Sequence, residues 1–120
     1  MNWIINKSTP ICTQICEQIC VFISKGEYKA NEKIPSVREL ALLIGVTPNT
    51  VQKAYENLQE KKVIYSVKAS GWYVGEDTKV ASEIVDNLKV TKTNDYLNQM
   101  EKIGYSPEKT LIYLKERIGE

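Results

Sequence analysis

The chain has 120 residues, of which 42% are apolar and 26% charged, with a formal net charge of +1. That balance excludes a disordered chain, and no apolar run approaches the ~20 residues a membrane-spanning helix needs. There is no histidine, so the commonest general base and metal ligand is missing. Met1 to Lys7 lack the basic-then-apolar pattern of a secretion leader, which makes the cytoplasm the expected location and a membrane partner unexpected. Charge is unevenly spread. Residues 1–75 carry nine Lys/Arg and six Asp/Glu, whereas residues 76–120 carry seven and nine. A mildly basic front followed by a mildly acidic back suits a nucleic-acid-reading module with an appendage.

Residues 10–24 read as the first helix. Pro10 suits a first turn. Ile11, Ile15, Ile19 and Phe22 recur at helical spacing, Cys12, Cys16 and Ile23 widen the stripe, and Gly26 stops it. Cys12, Cys16 and Cys20 share one face. A metal held there would lack a fourth ligand, and thiols at helical i and i+4 are poorly placed for a disulfide. They are expected to act as small core residues, with neither metal nor cofactor bound.

Residues 27–35 read as a polar connector. Ser36 with Glu39 then forms a capping box. The helix behind it buries Val37, Leu40, Ala41 and Ile44 and closes at Gly45. Thr47 caps the next helix, with Pro48 at its first position. Val51, Ala54, Tyr55 and Leu58 form the inner face, leaving Asn49, Thr50, Gln52, Lys53 and Glu56 outside. Two helices joined by a tight glycine-containing turn make a helix-turn-helix. From Val63 the period changes. Val63 to Lys68 and Trp72-Tyr73-Val74 are strand-like, with Ala69-Ser70-Gly71 between them, so a hairpin wing follows directly.

Gly75-Glu76-Asp77 reads as a boundary. Beyond it lie three amphipathic stretches. Val80, Ile84, Val85 and Leu88 mark the first, and Tyr96, Leu97, Met100 and Ile103 the second. After Gly104 comes a third, capped by Ser106 with Pro107 behind it and lined by Leu111, Leu114 and Ile118. Three apolar faces on a segment too short for its own core must be covered by something, and a second copy of the chain is the commonest cover. The expected fold is therefore α+β, mainly α. A winged helix-turn-helix at residues 1–75 precedes a helical dimerisation tail at 76–120.

A recognition helix presents its first turns to the major groove. Asn49 and Gln52 suit adenine, Lys53 suits guanine or phosphate, and the methyls of Thr47 and Thr50 can meet thymine. Double-stranded DNA is the expected partner. A protein-binding winged helix without DNA readout is the alternative, against which Arg38, Lys53, Lys61, Lys62 and Lys68 argue. An enzyme would need a paired-carboxylate or thiolate site, and no such cluster stands out.

The run Ile34-Pro35-Ser36-Val37-Arg38-Glu39-Leu40-Ala41, then Gly45-Val46-Thr47-Pro48-Asn49-Thr50-Val51, then Ala54-Tyr55 and Leu58, resembles the winged-helix domain of GntR-type bacterial regulators. The likeness covers residues 8–75. The short tail, with its Gly104-Tyr105-Ser106-Pro107-Glu108 start to the last helix, resembles the YtrA subfamily. That resemblance implies a dimeric regulator, often a repressor of transporter operons. It also implies DNA contacts at Ser36, Arg38, Thr47, Asn49, Thr50 and Gln52 and a wing built on Lys68, Ser70 and Gly71. The family often has arginine at the places of Pro48 and Gln52, which implies a different base preference here. It has glycine at the place of Ala69, which implies a differently shaped wing tip. A small-molecule effector is left open, since nothing in the tail resembles a pocket.

Overall fold

The computed structural model of the chain describes residues 1–119. Five helices and one two-stranded sheet follow in the order α1 (Ile11–Ser24), α2 (Val37–Ile44), α3 (Pro48–Glu60), β1 (Ile64–Val67), β2 (Gly71–Val74), α4 (Lys79–Lys102) and α5 (Pro107–Ile118). Residue contacts divide the chain into two compact units, Met1–Val85 and Asp86–Glu120, so the division falls inside α4.

In the first unit, α3 packs on both α1 and α2. Ile15 and Ile19 of α1, Leu40 of α2, and Val51, Ala54, Tyr55 and Leu58 of α3 are almost completely excluded from solvent. Each large apolar side chain so buried contributes ~1.5–3 kcal/mol relative to exposure. Tyr28 and Ile34 from the connector join this core, as do Val63, Ile64 and Val74 from the hairpin. Trp3, ahead of α1, covers the far side of Phe22 edge-on, with ring centroids 4.9 Å apart. The start of α4 completes the unit. Ala81 is buried in the core, and Val80, Ile84 and Val85 pack against it.

The local chemistry of the helix ends matches the sequence. The Glu39 amide donates to Ser36 Oγ at 3.1 Å, and the Ser36 amide donates to Glu39 Oε1 at 2.9 Å. Gly45 closes α2 in the left-handed conformation, φ +74°, where a side chain would be strained. Two expectations need correction. The connector is not purely irregular. Ile34 N–H donates to Trp72 O at 3.0 Å, Val74 N–H to Glu32 O at 2.9 Å, and Lys33 forms a bridge opposite Tyr73, so this segment lies along β2 as a third, short strand-like edge. The first two amphipathic stretches of the tail are one continuous helix, because nothing between residues 79 and 103 is Gly or Pro and propagation costs little once a helix exists.

In the second unit, Tyr105 N–H donates to Met100 O at 2.9 Å as the chain leaves α4. Ser106 caps α5 by accepting from the Lys109 amide at 3.3 Å. Thr110 is fully buried, yet Val90, Ile103, Leu111, Ile112 and Ile118 are each more than half exposed. No helix among the described residues is long and apolar enough to cross a membrane.

The cysteine stripe faces α3. Cys16 Sγ lies 3.4 Å from Ala54 O, and Cys20 is buried. Burial, reinforced by the neighbouring thiols, pushes the Cys16 thiol up to about 12. Burial likewise pushes Cys20 up to about 11, against the opposing pull of Lys61. The thiolate is the reactive form. At pH 8 both cysteines should therefore alkylate on the order of a hundredfold more slowly in the native protein than in urea, as followed by mass spectrometry. Equal rates would show that the stripe is not buried. Tyr55 gives a second test. Its hydroxyl donates to Pro35 O at 2.7 Å. Tyr55→Phe should cost about 1–3 kcal/mol in urea unfolding with an unchanged slope, since it strands that carbonyl. A change under half a kcal/mol would show the bond to be dispensable.

Candidate nucleic-acid interface

The surface of interest is built from three ends: the start of α2, the start of α3 and the tip of the hairpin. The capping box fixes the first. Ser36 is half-buried and its Oγ accepts from the Glu39 amide. The two hydrogen bonds from Ser36 hold the Glu39 carboxyl below the usual carboxylate range, and Lys33 adds to the effect. Arg38, one residue into the helix, is exposed. The first turn of α2 thus presents a serine hydroxyl and an exposed guanidinium, with the Glu39 carboxylate turned back onto the Ser36 amide.

Thr47 and Pro48 set the second end. The Thr50 amide donates to Thr47 Oγ1 at 3.4 Å, and the two threonine hydroxyls lie 2.9 Å apart. Both hydroxyls are therefore partly committed to the cap, a pairing the linear sequence does not display. Their methyl groups remain the parts available for apolar contact. Asn49 and Lys53 are exposed, and Gln52 is half-buried. With Glu56 they follow i, i+3, i+4, i+7, one continuous outward row on α3. Val51, Ala54, Tyr55 and Leu58 occupy the opposite face.

The hairpin pairs Ile64 with Val74 through to Val67 with Gly71, leaving residues 68–70 as its loop. Lys68 and Ser70 are exposed. The Ser70 hydroxyl is hydrogen-bonded to the Tyr73 phenol, and Tyr73 stacks on Tyr65 at 5.6 Å, so an aromatic pair stiffens the outer face of the wing. Ala69 adopts φ +64°. The chain keeps the left-handed turn that glycine would favour, at a cost of about 1–2 kcal/mol. Gly71 has φ +139°, and a β-carbon built on it would stand 3.1 Å from Lys33 Cε. The φ is what selects glycine there, since the flexible end of Lys33 could give way to a β-carbon.

Tyr55 joins the three ends. It projects from α3, binds Pro35 O just before α2, and meets Trp72 of β2 edge-on at 5.3 Å. The candidate contact residues lie on these ends: Ser36 and Arg38 on the first, Thr47, Asn49, Thr50, Gln52 and Lys53 on the second, Lys68, Ser70 and Gly71 on the third, whereas Lys61 and Lys62 follow the far end of α3. Lys33 was not foreseen. Only its long-range bridge to Tyr73 brings it beside the wing. Among the described residues, no group of His, Cys, Asp and Glu is arranged to hold a metal ion.

The chain matches the family model described as bacterial regulatory proteins, gntR family, over residues 12–74, just over half its length. It is 37% identical to the HTH-type transcriptional repressor YtrA of Bacillus subtilis over 114 residues, which covers 92% of this chain and 85% of that protein. A GntR family transcriptional regulator from Listeria monocytogenes superposes with a TM-score of 0.78 at 35% identity, over 93% of this chain and 98% of that one. The DNA-binding domain of AraR, solved in complex with operator ORX1, superposes with a TM-score of 0.57 at 28% identity, over 62% of this chain and 96% of that one. These relatives are regulators rather than enzymes. On the family match and these likenesses, the chain belongs to the gntR family of bacterial regulatory proteins.

Proposed function

We propose that this chain is a sequence-specific repressor that binds an inverted-repeat operator as a homodimer. The observation that carries the reading is the outward row Asn49, Gln52 and Lys53 on the capped start of α3. In this reading α3 enters the major groove. Asn49 and Gln52 read base edges, Thr47 and Thr50 offer methyl groups, and Lys53 meets guanine or phosphate. Ser36 and Arg38 grip the backbone, and the wing brings Lys68, Ser70 and Gly71 to the neighbouring groove. The repressor named YtrA and the operator-bound AraR domain support the assignment by similarity. The YtrA-like tail further points to a transporter operon as the regulated unit.

The dimer reading rests on the second unit. Val90, Ile103, Leu111, Ile112 and Ile118 are 55–74% exposed, a density of bare aliphatic side chains that a single chain leaves uncovered. A second copy would bury them and set the spacing of two recognition helices, so half-sites should lie about one helical turn apart, or a small multiple of that.

Two measurements test this function. Binding to a random duplex should weaken steeply with salt, and Arg38→Ala and Lys53→Ala should each lower the log–log slope by about 0.9. Salt-insensitive binding, or none, would favour a protein-binding role instead. For the tail, light scattering should give twice the chain mass at micromolar concentration. Leu111→Lys combined with Ile118→Lys should give the single mass while the far-ultraviolet dichroism stays unchanged. A double variant that remains dimeric would place the interface elsewhere.

A further inference from the structure

Lys33 belongs to neither the helix-turn-helix nor the hairpin loop, yet the fold delivers it between them. Residues 32–34 run along β2, and successive side chains of an extended segment point to opposite faces. Ile34 is therefore 3% exposed in the core, while Lys33 points outward. The Lys33 stem lies over Gly71. A β-carbon at residue 71 would stand 3.1 Å from Lys33 Cε and 3.8 Å from Nζ, so the ammonium sits against Gly71, where β2 begins. Its charge also reaches Glu39 in the capping box, next to Ser36 and Arg38. Lys33 forms no ion pair with a carboxylate among the described residues. The backbone bridge to Tyr73 fixes where the stem begins, and the exposed ammonium keeps its three N–H donors available to a ligand.

We propose that Lys33 is a phosphate-contacting residue of the DNA interface, seated in the seam between the wing and the start of α2. The inference rests on the DNA-binding reading. A phosphate held there would be gripped from two sides, by Lys33 on the wing side and by the Ser36 and Arg38 end of α2. The wing and the helix-turn-helix would then dock on one stretch of backbone as a unit.

The test uses the full-length protein and a random duplex across 50–200 mM salt. Lys33→Met keeps the stem and removes the charge, whereas Lys33→Arg keeps the charge. The methionine variant should lose about 0.9 from the log–log slope and the arginine variant should retain the wild-type slope. Both should melt within a degree or two of wild type. A Lys33→Met variant with the wild-type slope overturns the proposal, even if its affinity falls. A wild-type protein with no salt-dependent binding would instead remove the DNA reading on which the proposal stands.

Discussion

The hydrogen bond from the Tyr55 hydroxyl to the Pro35 carbonyl is the contact around which the candidate interface is arranged. Tyr55 is completely buried, and burial pushes its phenol well above the ordinary tyrosine range, so it remains a neutral donor at any physiological pH. Its ring lies edge-on to Trp72, and its backbone belongs to the helix that carries Asn49, Gln52 and Lys53. One side chain thus links α3 with the chain entering α2 and with the inner strand of the wing. Pro35 has no N–H and a fixed φ, which suits it to a place where a single carbonyl must be presented in one direction. Recognition needs the three ends held within a fraction of an ångström of their working geometry, and buried aromatic packing around a satisfied polar tip supplies that rigidity.

Most of the first unit was legible from sequence because its signals are local. Ser36 with Glu39, Gly45, and Thr47 with Pro48 are rules spanning three or four residues, and each is realised as written. The apolar stripe of α3 was readable for the same reason. What escaped depends on partners distant in sequence. Residues 31–34 carry Asn, Glu and Lys without alternation, and only the register imposed by β2 makes them strand-like. Lys33 carries no local signal, and only that register places it beside Gly71. The mutual hydrogen bond of the Thr47 and Thr50 hydroxyls has no signal in the sequence, which marks Thr47 as a cap and Thr50 as an outward group. In the tail, Lys89 to Asp95 break the apolar period, which suggested two elements. The absence of Gly and Pro there decides for one helix.

Ala69 shows how the wing departs from the pattern it resembles without losing its shape. Alanine in the left-handed region is strained, and Lys62 and Asn31 in the same unit are held at similar positive φ. The surroundings impose these conformations. Asn31 donates its amide to Val74 O and accepts from the Tyr65 hydroxyl at 3.0 Å. The Ser70 amide donates to Val67 O, closing the wing turn. The strain is confined to the hairpin and its bordering segment, and the tight pairing of β1 with β2 offsets it. A wing turn with alanine at its tip should be stiffer than one with glycine there.

The central claim is that sequence is read by the outward row of α3. A binding-site selection on the wild type and on Asn49→Ala and Gln52→Ala addresses it most directly. The account predicts a two-fold symmetric motif for the wild type. Each variant should lose preference at particular base pairs, equally in both half-sites, by about 1–3 kcal/mol for each bidentate contact removed. If both variants return the wild-type motif with only a uniform fall in affinity, the start of α3 is not where the operator is read.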